Sequence, residues 1–103
     1  MLKMVLKFDE EKVRAKGYDL REIYNDVNGL MSDGNLTVEE DGIYTDRGVD
    51  EYEAVISFMA ITPIISKRKW IKFASEWLWY DDEENDDEDD PEDLFKTYRI
   101  IKE

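Results

Sequence analysis

Apolar and polar positions alternate at the start of the chain. Leu2, Met4, Leu6 and Phe8 fall on one side of an extended backbone and Lys3 and Lys7 on the other, so residues 2–8 predict a strand with one buried face. At Asp9 the period changes. Asp9 can cap the stretch DEEKVRAKG and Gly17 can close it, which predicts a short helix. The next signal is stronger: Asp19 stands as N-cap with Glu22 three residues on, and Tyr18 and Ile23 are spaced as a hydrophobic staple. Leu20, Ile23, Tyr24, Val27, Leu30 and Met31 then recur at helical spacing, with Gly34 beyond them. A helix over about 20–32 is expected.

In LTVEEDGIYTD the Asp41-Gly42 pair sits between alternating residues, the signature of a hairpin with a type I′ turn. It predicts strands at 36–40 and 43–46, with Leu36, Val38, Ile43 and Thr45 on one face. The segment VDEYEAVISFMAI fits both periods. As a strand it aligns Tyr52, Ala54, Ile56, Phe58 and Ala60; as a helix it gathers Asp50, Glu51, Glu53 and Ser57 into one polar arc. The capping-box spacing of Asp50 and Glu53, and the helix preference of Ala and Met, favour a helix. Thr62-Pro63 interrupts it, with Pro63 in the first turn of the next helix. In SKRKWIKFASEWLWY, residues 66–80, Trp70, Ile71, Phe73, Ala74, Trp77, Leu78 and Tyr80 cover one arc at ~100° per residue, which predicts a core helix. Asp90-Pro91-Glu92-Asp93 reads as the start of a last helix carrying Leu94, Phe95, Tyr98 and Ile101. The resulting architecture is α+β: a three-stranded antiparallel sheet with three to four helices packed on one face. Residues 1–103 form a single domain, with an acidic loop at 81–90 between the last two helices.

Composition removes chemistry more than it adds any. The 103 residues contain no cysteine and no histidine, so thiolate and imidazole nucleophiles, His general bases and the usual zinc ligand sets are absent. Paired carboxylates such as Glu39 and Glu40 remain, yet a chain of this length rarely builds the deep cleft that carboxylate catalysis uses. The expectation is a protein that is not an enzyme and uses no cofactor. The first residues lack the long apolar core of a signal peptide and no apolar run approaches membrane-spanning length, so a cytoplasmic protein is expected.

Charge then changes the picture. The net charge is −13, and eleven of the 27 acidic residues lie within positions 81–93; the other 16 face 14 Lys and Arg, a balance of −2. Such a field opposes direct contact with nucleic acid or anionic membrane and attracts cations or a basic protein surface. The spacing of a calcium loop is not met: the run has no glycine, and a loop begun at Asp26 puts Met31 at the sixth place and Thr37 at the twelfth. On the expected 66–80 helix, Lys67, Arg68 and Lys69 at one end and the acids at the other oppose the macrodipole. Trp79 would lie across that helix from Trp70, either covered by Phe95 and Tyr98 or exposed as an aromatic anchor rimmed by carboxylates.

These features point to a non-catalytic acidic module that binds a basic protein surface, in its furthest form an inhibitor that mimics nucleic acid. The partner-binding residues would be Trp79, Asp81, Asp82, Glu83, Glu84, Asp86, Asp87, Glu88, Asp89 and Asp90. The competing reading is an accessory structural domain whose acidic loop holds Ca²⁺ or Mg²⁺ weakly or serves solubility alone. The pattern leaves the oligomeric state open.

Overall fold

A computed structural model describes residues 2–81 and 91–103. Strand β1 (Leu2–Phe8) leads into helix α1 (Glu10–Ala15), capped by the Asp9 carboxylate on the Glu11 and Lys12 amides. Helix α2 (Leu20–Asp33) buries Ile23, Tyr24, Val27 and Met31. The hairpin β2 (Thr37–Glu40) and β3 (Ile43–Thr45) comes next, then α3 (Glu51–Ser66), with Asp50 accepting the Glu53 amide at its cap. The segment at 50–61 is therefore helical, and Pro63 lies inside the same helix rather than opening another. Pro63 removes the amide that would bond the Met59 carbonyl; on the solvent side of the helix, water can take that place.

The largest departure from expectation lies at 66–80. A 3₁₀ turn over Lys69–Phe73 gives way to strand β4 (Ala74–Asp81), and β5 (Glu92–Asp93) pairs with it. The sheet therefore has five strands, in the order β2-β3-β1-β4-β5, antiparallel throughout. A bulge explains the misleading period. Glu76 faces Lys7 and Ala74 faces Phe8, leaving Ser75 as an extra residue. Ala74 and Trp77, three apart, consequently point to the same buried face, which imitates helical spacing. The expected macrodipole conflict disappears with the helix. Lys67, Arg68 and Lys69 instead lie just beyond the C-terminus of α3, where positive charge is favourable.

The acidic positions 82–90 connect two paired strands and not two helices. The last helix, α4 (Leu94–Thr97), is one turn long and capped by Asp93 instead of Asp90. Leu94 and Phe95 are buried, whereas Ile101 lies beyond the helix and is exposed.

Helices cover one face of the sheet. Leu2, Met4 and Leu6 are fully buried there, while Lys3, Val5 and Lys7 on the other face are half-exposed. A second bulge at Glu39 sets the hairpin register. Val38 faces Tyr44 across the pair, so it shares a side with Tyr44 and not with Ile43 and Thr45. Gly42 carries a positive φ of 93° and Asp41 does not, so the turn is not type I′. The core runs from Val13 of α1 to Leu94 and Phe95 of α4.

Candidate functional site: an aromatic groove at the sheet edge

One row of side chains crosses the covered face through five directly opposed positions: Val38, Tyr44, Met4, Trp79 and Glu92. Tyr44 and Met4 are fully buried, Trp79 is half-buried and Glu92 is exposed. The row thus passes from dry core to open edge. Along β4 the alternation does the same, because Trp77, Trp79 and Asp81 share that face. Trp77 is fully buried, and Asp81 is exposed.

Trp79 is therefore neither fully covered nor free. Its ring meets Phe58 of α3 edge to face, with centroids 4.8 Å apart, an arrangement worth about 0.5–1.5 kcal/mol beyond simple burial. Phe95 and Tyr98, the residues expected to cover it, pack on Trp77 instead, at 6.0 Å and 5.5 Å. The expected placement of Trp79 across a helix from Trp70 and away from the core fails with the helix, since Trp77 and Trp79, two apart in a strand, share a face.

Around Trp79 lies an open groove of about 340 Å³. Val55, Phe58, Met59 and Thr62 of α3 form one wall; Trp79, Leu94 and Tyr98 form the other; Asp81 and Glu92 stand at the rim. The Thr62 and Tyr98 hydroxyls are 2.7 Å apart and tie α3 to the end of α4. The Thr97 hydroxyl donates to the Glu92 carboxylate, which fixes that acid beside the opening. Of the expected contact residues, Trp79 and Asp81 are brought together here. Asp82, Glu83, Glu84, Asp86, Asp87, Glu88, Asp89 and Asp90 lie outside the described residues. Glu92, expected at the start of a helix, and the wall supplied by α3 are not among the expected contact residues. Glu92's place within the acidic run was the available signal.

The hairpin acids Glu39 and Glu40 do not extend this rim. Glu39 accepts from Arg47 at 2.7 Å and Glu40 from Lys7 at 3.4 Å, both on the β2 hairpin at the opposite edge of the sheet. A larger cavity of about 670 Å³, lined by Lys16, Lys69 and Lys72 among others, receives the chain's own Glu103, which pairs with Lys16 at 3.1 Å and Lys72 at 3.3 Å. Those two cations hold the Glu103 carboxyl below its ordinary range.

A polar network at the hairpin turn joins α2 to the sheet. Asp41 accepts from Arg21 at 2.8 Å and from Asn28 at 3.0 Å, and the Tyr44 hydroxyl donates to Asn28 at 2.7 Å while accepting the Gly42 amide at 3.1 Å. The Asn28 hydrogen bond first, then Arg21, depress the Asp41 carboxyl; burial raises the Tyr44 and Tyr24 phenols. Each group is moved away from neutrality, the reverse of what general acid or base work near pH 7 uses. Among the described residues no cluster of three acidic side chains is placed to hold a metal ion, and no helix is long and apolar enough to cross a membrane. The chain matches no protein-family model, no curated protein and no solved structure.

Proposed function

We propose that this protein is a non-catalytic binding module that takes a basic, amphipathic protein segment into the Trp79 groove. The observation that carries the reading is the placement of a half-buried indole in an open apolar groove whose rim bears Asp81 and Glu92, both members of the acidic run. An aromatic wall supplies desolvation energy for an apolar anchor on the partner, and aromatic side chains of this kind dominate interface energetics. The carboxylates steer a cationic partner toward the groove and select against anionic ones, an effect that weakens with salt.

Docking of this type differs from nucleic-acid mimicry. A mimic needs carboxylates at phosphate-like intervals over an extended face, and the hairpin acids are spent on Arg47 and Lys7 at the far edge. The reading therefore stops at a basic protein segment. Its test uses a synthetic amphipathic helix of Lys and Leu as probe, titrated at low and high salt into the intact protein, a Trp79→Ala variant and a variant with positions 82–90 neutralised. Trp79→Ala should weaken binding about tenfold or more at either salt concentration, whereas neutralisation should abolish most of the salt dependence. Equal binding by all three proteins would remove the groove from the account.

A further inference from the structure

Helix α3 is apolar on nearly every side. Ala54, Phe58, Ile61 and Ile65 fill the core, yet Tyr52, Ile56, Met59 and Ile64 are 74%, 53%, 69% and 41% exposed. These four are all but one of the large apolar side chains exposed among the described residues. At about 100° per residue they form a single stripe with Ala60 and Pro63, opposite the core face. An uncovered stripe of this size on a surface helix marks a contact surface.

The ends of the stripe carry opposite charges. Glu53, in the first turn, and Lys67, at the C-cap, both continue the same side of the helix. Both are exposed, and neither has an ion-pair partner among the described residues. Arg68, by contrast, is held by Asp26: Nη2 donates to Oδ1 at 3.2 Å, and Nε lies 3.0 Å from Oδ2 without the alignment of a hydrogen bond.

We propose that the exposed face of α3 is the interface of a symmetric homodimer in which two α3 helices pack antiparallel. With the two-fold axis beside Ala60, Ile56 meets Ile64 of the second copy, and Glu53 meets the second copy's Lys67 at each end. The small Ala60 side chain at the crossing lets the helices approach. An isologous contact of this kind buries Ile56, Ala60 and Ile64 of both copies, leaves Tyr52 and Met59 at its flank, pairs both charges at once and closes without further growth. A parallel arrangement would set like charges together. Outside 81–93 the sequence carries only −2, so repulsion between two copies comes chiefly from the acidic run and falls as salt rises. Opposed single helices bury less than the roughly 1,200 Å² of a standard interface, so association in the micromolar range is expected.

Sedimentation equilibrium at about 0.15 M salt tests the proposal. A reversible monomer–dimer equilibrium is expected, and Ile56→Asp should weaken it about tenfold or more with the far-ultraviolet circular dichroism unchanged. Glu53→Lys and Lys67→Glu should each weaken self-association, and an equimolar mixture of those two variants should pair more tightly than either alone, because every end contact is then Lys against Glu. The two surfaces adjoin at Met59, which borders both; Trp79→Ala should leave the dimer intact and so tell self-association from occupancy of the groove. A protein that stays monomeric at high micromolar concentration, or a dimer indifferent to Ile56→Asp, or a mixture no tighter than its components, would overturn it.

Discussion

Single residues decide how closely the elements meet. A Cβ on Gly42 would lie 2.5 Å from the Leu6 carbonyl oxygen, at a backbone φ of 93°. Gly42→Ala therefore forces the hairpin turn off β1 and strains the backbone as well; a loss of about 2–4 kcal/mol is expected, read as a lower urea midpoint. Gly34 acts through approach and not through conformation. Its Cβ would stand 3.0 Å from the Ile61 side chain, so the absence of one lets α3 settle on α2. Asn35 and Arg99 both adopt positive φ, at 65° and 57°. Asn adopts this region at a lower cost than Arg. Arg99→Gly is accordingly expected to stabilise the fold by about 0.5–1 kcal/mol, and an unchanged or lower midpoint would contradict that account of the α4 terminus.

The same positions explain how the helices stop. At the end of α2 the Asn35 amide reaches the Ser32 carbonyl and the Leu36 amide reaches Met31; at the end of α4 the Arg99 amide reaches Lys96 and the Ile100 amide reaches Phe95. Both are Schellman closures, and α1 ends in the same way at Gly17. Helices α1 and α2 were legible in sequence from caps and spacing, and the hairpin's presence from Asp41-Gly42, though not its turn type or its faces; at α3 both periods fitted and the Asp50 cap favoured the helix. The two bulges were not. An extra residue at Ser75 shifted the buried positions of β4 into helical spacing, and one at Glu39 exchanged the faces of the hairpin. The run of Trp77, Leu78, Trp79 and Tyr80 carried the β preference of aromatic residues, but a short apolar segment is ambiguous until a partner strand is known. Here that partner is β1, some seventy residues earlier in the chain. The groove was legible only as an indole beside acids, since its second wall belongs to α3.

At the scale of the molecule, charge and burial are sorted to different places. The phenols raised by burial, Tyr24 and Tyr44, lie at the β1–α2 junction. A raised phenol stays neutral in the folded protein while the unfolded chain begins to ionise near pH 10, so stability should be intact below about pH 10 and lost as pH rises further. Of the six tyrosines, these two should ionise only with unfolding, seen as phenolate absorbance rising together with loss of the near-ultraviolet signal. Ionisation of every tyrosine while the fold persists would contradict the burial argument. Of the acidic run, Asp81 and Glu92 stand at the β4–β5 edge of the sheet, beside the half-buried Trp79.

That conjunction is most directly tested by the indole proton resonances of the three tryptophans, recorded while the Lys and Leu amphipathic helix is added. Trp70 and Trp77 are buried and Trp79 borders the groove. The Trp79 signal should move progressively toward saturation and the other two should hold nearly still. A titration that shifts amides of the acidic run while the Trp79 indole stays in place would show attraction by charge alone and contradict the groove.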